Sequence, residues 1–154
     1  MSGALQGDGP RERLAHGQKL LAEHDYQGAV RECRMVVSMS KGKPPGDEAL
    51  LCLGQIFSDP QNPRKDLSAS IASFEKLTKE YSQSVWANLA RVLMVNLREQ
   101  GRLKEATRKS SQENERLKRL FSESSQENAR LKKMVEESKA VDVAIDEKKR
   151  DQAR

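Results

Sequence analysis

From Arg102 to Arg154 the chain contains neither glycine nor proline. In a stretch this rich in Lys, Arg and Glu, with no chain breaker, nothing forbids a continuous α-helix. The spacing predicts a single helix from Arg102 to about residue 150, roughly 70 Å long at the standard rise. The helix carries an internal duplication. Ser110-Ser111-Gln112-Glu113-Asn114-Glu115-Arg116-Leu117-Lys118-Arg119-Leu120 recurs as Ser124-Ser125-Gln126-Glu127-Asn128-Ala129-Arg130-Leu131-Lys132-Lys133-Met134. The offset is two heptads. Leu103, Leu117, Leu131 and Ile145 share one heptad position, and Leu120, Met134 and Val141 lie three residues on from it. Phe121 and Val135 sit beside this stripe. In the alternate heptads Ser110, Ser124 and Ser138 take the apolar position. Two readings stay open: a coiled-coil or partner-helix seam at Leu117, Leu120, Leu131, Met134, Val141 and Ile145, or a solvated helix held by pairs such as Glu115–Arg119 and Asn128–Lys132.

Ahead of this helix the composition changes. Charged residues are 33% of the whole chain and aromatics 4%, which suits a modest helical core followed by a solvated helix. Residues 1–9 are small, polar and glycine-rich and read as a flexible lead-in. Pro10 opens a helix at its first position, with Leu14, Gly17, Leu20 and Leu21 at helical spacing. His24-Asp25 breaks the pattern. Tyr26, Ala29, Val30, Cys33, Val36 and Val37 then mark a second helix, which ends before the Lys41-to-Gly46 loop. Asp47 is the expected N-cap of a third helix through Leu50, Leu51, Leu53, Gly54, Ile56 and Phe57. A connector with Pro60 and Pro63 leads to Leu67, Ile71, Phe74, Leu77 and Thr78. Ser82 or Ser84 is the expected cap of a fifth helix, through Val85, Trp86, Leu89, Val92, Leu93, Met94, Val95 and Leu97. Gly101 is expected to end it and to turn the chain into a sixth helix.

Three hairpins in one frame amount to a repeat. Gly54 falls where Gly17 stands in the first copy, Leu67 where Tyr26 stands, Ser70 where Ala29 stands and Phe74 where Cys33 stands. The Pro60–Pro63 connector supplies about four extra residues. Met94 takes the glycine position of a third copy, and Ser110 stands where Phe74 would be. A helix pair cannot bury its apolar stripe alone, so neighbouring pairs must stack.

Asp25-Tyr26-Gln27-Gly28-Ala29, Leu53-Gly54-Gln55-Ile56-Phe57 and Gly101-Arg102-Leu103-Lys104-Glu105-Ala106 resemble tetratricopeptide repeats. The resemblance spans about residues 10 to 108. It implies an all-α fold: a right-handed stack of about three helical hairpins, with small residues paired at the crossings (Gly17 with Ala29, Gly54 with Ser70). It also implies a concave face lined by the first helix of each hairpin. In this sequence that face comprises Arg11, Leu14, Gln18 and Leu21, then Glu48, Leu51 and Gln55, then Asn88, Arg91, Val95 and Arg98. Apolar positions flanked by Arg and Gln suit a protein segment or peptide. The expected organisation is a lead-in at 1–9, a repeat domain at 10–108 and an extended helix at 109–154. Leu103 and Ala106 are expected to pack back on the third hairpin, with the chain beyond Ser110 leaving it.

A second stretch, Ser138-Lys139-Ala140-Val141-Asp142-Val143-Ala144-Ile145-Asp146-Glu147-Lys148-Lys149-Arg150, resembles the end of the coiled-coil segment in QseG-type envelope lipoproteins, which are encoded beside a sensor histidine kinase. That resemblance implies a periplasmic, outer-membrane-anchored protein tied to two-component signalling. Without it the compartment reads as cytoplasmic.

No catalytic constellation is expected. His16 and His24 are the two histidines, at a helix crossing and at a turn. The glycines at 42, 46 and 54 lack the spacing of a phosphate-binding loop. Cys33 and Cys52 have neither a C-x-x-C spacing nor nearby histidines, so no metal or cofactor is expected. Both read as buried free thiols, with a disulfide as the alternative in an oxidising compartment. The net charge of +5 is interspersed rather than one-sided, against a nucleic-acid face. No run approaches the roughly 20 apolar residues of a membrane span. The expected function is a non-catalytic interaction adaptor or scaffold. The alternative is a structural coiled-coil protein that forms a homo-oligomer through its C-terminal helix.

Overall fold

The computed structural model describes residues 9–154, so the expectation for residues 1–9 lies, but for Gly9, outside them. Five α-helices follow one another, with no strand among the described residues: α1 (Pro10–Ala22), α2 (Tyr26–Ser40), α3 (Gly46–Ser58), α4 (Leu67–Glu80) and α5 (Val85–Gln152). The all-α class with a long C-terminal helix is as the periodicity predicts. Contacts divide the chain into two compact units, Met1–Arg102 and Leu103–Arg154.

Local chemistry sets the starts of the first unit's helices. Pro10 opens α1, and the Gly9 N–H donates to the Glu12 carboxylate at 3.0 Å. His24 takes a left-handed φ of 62°, which turns the chain between α1 and α2. Asp25 then caps α2 by accepting from the Gly28 N–H at 2.9 Å, and Asp66 caps α4 by accepting from the Ala69 N–H at 2.9 Å. The Ser84 hydroxyl accepts from the Trp86 N–H at 3.2 Å, as expected of an N-cap. Asp47 departs from expectation. Helix α3 begins at Gly46, two residues earlier than an Asp47 cap would place it, and Asp47 lies buried in its first turn. Its carboxylate accepts from the Ser84 hydroxyl at 2.6 Å, fastening the start of α3 to the start of α5.

The core is one cluster drawn from all five helices. The hairpins α1–α2 and α3–α4 cross at small residues. A Cβ placed on Gly17 would meet Cys33 Sγ at 3.1 Å, and one on Gly54 would run into the Phe74 ring. Ser70 is fully buried against the same crossing and donates to the Gly54 carbonyl at 2.6 Å. The Pro60–Pro63 connector is ordered by Asn62, whose amide donates to the Ile56 carbonyl at 2.8 Å and whose side-chain oxygen accepts from the Arg64 N–H at 2.9 Å. Helix α3 has neighbours all round, and nine of its residues are buried. The first part of α5 buries only Ala87, Ala90, Met94 and Leu97, one face of the helix.

The third hairpin is not made. Helix α5 passes through Gly101 without a break, and Leu103 and Ala106 are exposed rather than packed. A glycine inside a helix costs about 1 kcal/mol relative to alanine, too little to stop one that good helix formers extend on both sides. Arg102 adds a bidentate bridge across the glycine to Glu99, at 2.7 and 3.0 Å. There is also no packing residue to fold back: Ser110 stands where the frame calls for an aromatic. In the second unit every residue from Leu103 to Arg154 is exposed. Its ion pairs follow the expected i,i+4 spacing at Glu105–Lys109 and Lys133–Glu137, each at 3.9 Å, but not at Glu115. Glu115 pairs with Lys118 at 3.0 Å rather than with Arg119, and Arg116–Glu113 and Arg130–Glu127 are likewise i,i+3 pairs.

Candidate partner-binding surfaces

The eleven residues assigned to a concave face separate into three groups. Leu14 and Leu51 are core residues, 3% and 5% exposed, so neither is open to a ligand. Both belong to the common core cluster, so the apolar floor expected there is packing rather than open surface. Leu21 is half-buried and packs against the same core. The polar residues around these leucines do come together. Glu48 accepts from Gln18 Nε2 at 3.2 Å and pairs with Arg11 at 3.8 Å, so α1 and α3 are bridged at their surface. Gln55 is exposed on α3. On α5, Arg91 donates to its neighbour Asn88 at 2.6 Å, and Arg98 bonds Glu75 of α4 at 2.6 Å.

Val95, expected on the concave face, is 64% exposed and belongs to a patch with Val85, Leu89 and Val92, which the sequence offered only as markers of the helix. Val85, Leu89 and Val92 recur at i, i+4 and i+7 and stand 73%, 39% and 58% exposed. They run along α5 opposite Ala87, Ala90 and Met94. The signal was in the sequence: the apolar positions from Val85 to Leu97 are too many for one face of a helix. Among the described residues no helix packs on the outer side of this part of α5, whereas α3 is flanked by α2 and α4. The result is an apolar stripe with Asn88, Arg91 and Arg98 nearby on a helix held firm by its other face.

A separate cavity of about 290 Å³ opens between α2 and the α3–α4 connector, lined by Tyr26, Val30, Arg31, Arg34, Phe57, Asn62 and Arg64 among others. Arg34 lies over the Phe57 ring, 5.9 Å from its centre. The Tyr26 hydroxyl links His24 Nδ1 at 3.0 Å to the Asp59 carboxylate at 3.2 Å. Burial and the Asp59 bond push the Tyr26 hydroxyl above its ordinary pKa, so it holds its proton as a structural donor. His16 lies 3.8 Å from Glu32, which Arg13 also holds, at 3.1 Å. Cys33 and Cys52 are buried free thiols with Sγ atoms 2.9 Å apart, Cys33 donating. The bond to Cys52 and burial push the Cys33 thiol well up. Among the described residues no group of three or more His, Cys, Asp or Glu side chains is placed to hold a metal ion. No helix of the described residues is long and apolar enough to cross a membrane.

The seam residues of the second unit are all open. Leu117, Leu120, Leu131, Met134, Val141 and Ile145 are each between 47% and 57% exposed. Phe121, beside them, is 78% exposed. No family model matches this chain, and neither the curated proteins nor the solved structures compared with it give a match.

Proposed function

We propose that this chain is a non-catalytic adaptor that binds an amphipathic protein segment on its helical-hairpin unit. The supporting observation is the unpartnered stripe Val85–Leu89–Val92–Val95 on α5. A helix laid on it would occupy the place where a further helix of the stack would lie, burying apolar surface at about 25 cal/mol per Å². Arg91 and Arg98 lie on the same helix and suit acidic residues on the segment's flanks. The tetratricopeptide resemblance points to the same class of function. The resemblance of residues 138–150 extends the proposal to a bacterial envelope protein tied to a sensor kinase.

The test is capture of partners by the full chain and by a Val92→Asp variant, with binding strength then measured for each recovered protein. Residue 92 is exposed, so the variant keeps its fold by circular dichroism. A partner lost with Val92→Asp and weakened by Arg91→Glu supports the stripe as the site. Equal binding by all three chains overturns it.

A second reading has its own support. The exposed heptad stripe from Leu103 to Ile145 suits self-association of the C-terminal helix. The two readings use different surfaces.

A further inference from the structure

We infer that the C-terminal helix pairs with a second copy of itself in antiparallel order, in one register, centred between Ser125 and Gln126. The inference rests on the self-association reading and adds the orientation, which the charges decide. The seam of the second unit contains like charges as well as leucines. Glu113, Glu127 and Lys148 fall three residues after the leucine-or-serine position, where a partner's side chain must face them. A parallel, in-register pair sets each residue of the seam against its own copy. Glu113 then meets Glu113, Glu127 meets Glu127 and Lys148 meets Lys148, with Glu137 flanking Asp142 of the other chain. None of these contacts is attractive.

Antiparallel order removes every one of these clashes. With the two-fold axis between Ser125 and Gln126, Leu117 faces Met134 and Leu120 faces Leu131, each twice. Glu127 faces Ser124, and Glu113 faces Ser138. The serines that interrupt the apolar stripe thus become the partners of its glutamates. The flanking positions agree independently: Arg116 lies beside Glu137 of the second copy and Glu123 beside Arg130, again twice each. Sliding one heptad either way sets Glu123 against itself or Glu137, and Arg130 against itself or Arg116. A slide of two heptads toward the N-terminus sets Lys109 beside Arg130. Toward the C-terminus it keeps attractive flanks but sets Leu117 against Lys148 and leaves two kinds of apolar layer, where the central register has three, Ala106 facing Ile145 in addition to the leucine layers. Within each chain Arg116 already holds Glu113 at 3.5 Å and Arg130 holds Glu127 at 3.8 Å, so each arginine would bridge its own seam glutamate and the partner's flanking one.

The experiment is sedimentation equilibrium of the full chain and of Arg116→Glu, Glu137→Arg and the double variant, across the micromolar range at low salt. Both positions are exposed, and helicity is checked by circular dichroism. Antiparallel order predicts that each single reversal weakens the dimer about tenfold and that the double variant restores it. In parallel order Glu137→Arg would instead tighten the dimer, by meeting Asp142. Tightening by that variant, or indifference to both reversals, overturns the antiparallel register while leaving self-association in place. A wild-type chain that is monomeric throughout overturns self-association as well.

Discussion

Cys33 and Cys52 show how much a single packing decision settles. Their placement on apolar faces was legible in the sequence, and buried free thiols were the expected state. Their meeting at 2.9 Å was not legible, because it depends on how α2 lies on α3, a contact between different hairpins. The Cys33 thiol is raised from an ordinary value of 9.0 by its bond to Cys52 and by burial. In the unfolded chain the same thiol ionises near that ordinary value. Below about pH 9 its contribution to stability is therefore complete. As pH rises further the unfolded state loses the proton first, and stability falls. Cys52, whose thiol is lowered by accepting the same bond, works the other way below that pH, so the thermal midpoint should fall only as pH rises above about 9, and Cys33→Ala should flatten that slope. Tyr26 and Tyr81, also raised by burial, continue the fall at higher pH. Phe74 is the other decisive residue, fully buried at the Gly54 crossing. Phe74→Ala should cost about 3–5 kcal/mol in urea unfolding. Leu131→Ala, about half exposed on a lone helix, should cost far less in a monomer.

At the scale of the element, α1 to α4 were readable because each couples a stop signal to an apolar stripe of helical period. The exceptions are informative. Asp47 looked like a cap from its position after Pro44-Pro45-Gly46, but the capping register depends on backbone angles that the sequence does not carry. Gly101 looked like a turn because glycine often ends helices, yet it had no following proline or cap to help it. The structure gives this a direct check. A Cβ on residue 101 would meet nothing within 4 Å. Gly101→Ala should therefore stabilise α5 by about 0.5–1 kcal/mol, seen as a higher helical melting point. A loss of stability would mean that the chain uses a bend at this glycine. The bridges Glu99–Arg102 and Glu105–Arg108 hold both carboxyls below their ordinary values through the arginine hydrogen bonds. Their support is present at neutral pH and is lost as pH falls below about 4.5, so helicity should decline there.

For the whole molecule, the boundary between core and solvated helix was visible as a change of composition. The last buried residue is Leu97, and every other core side chain precedes it. A chain stopped after Arg102 should therefore keep a cooperative thermal transition within a few degrees of the full chain's, measured by calorimetry. A collapse of that transition would show that the C-terminal helix supports the core. The candidate surfaces were less legible than the fold. The concave-face residues were assigned from a repeat frame, and that frame does not say how closely α1 approaches α3. Leu14 and Leu51 are buried in the core, while Val85, Leu89, Val92 and Val95 stand open on the first part of α5.

The two-heptad duplication in the C-terminal helix also limits how its length can change. Removing fourteen residues, one full copy, lays leucine positions on leucine positions and keeps every serine row aligned. Removing seven keeps the helical phase but lays leucine rows over serine rows. Variation in the length of this helix should therefore be tolerated in steps of fourteen and resisted in steps of seven, although either deletion leaves an equally good helix.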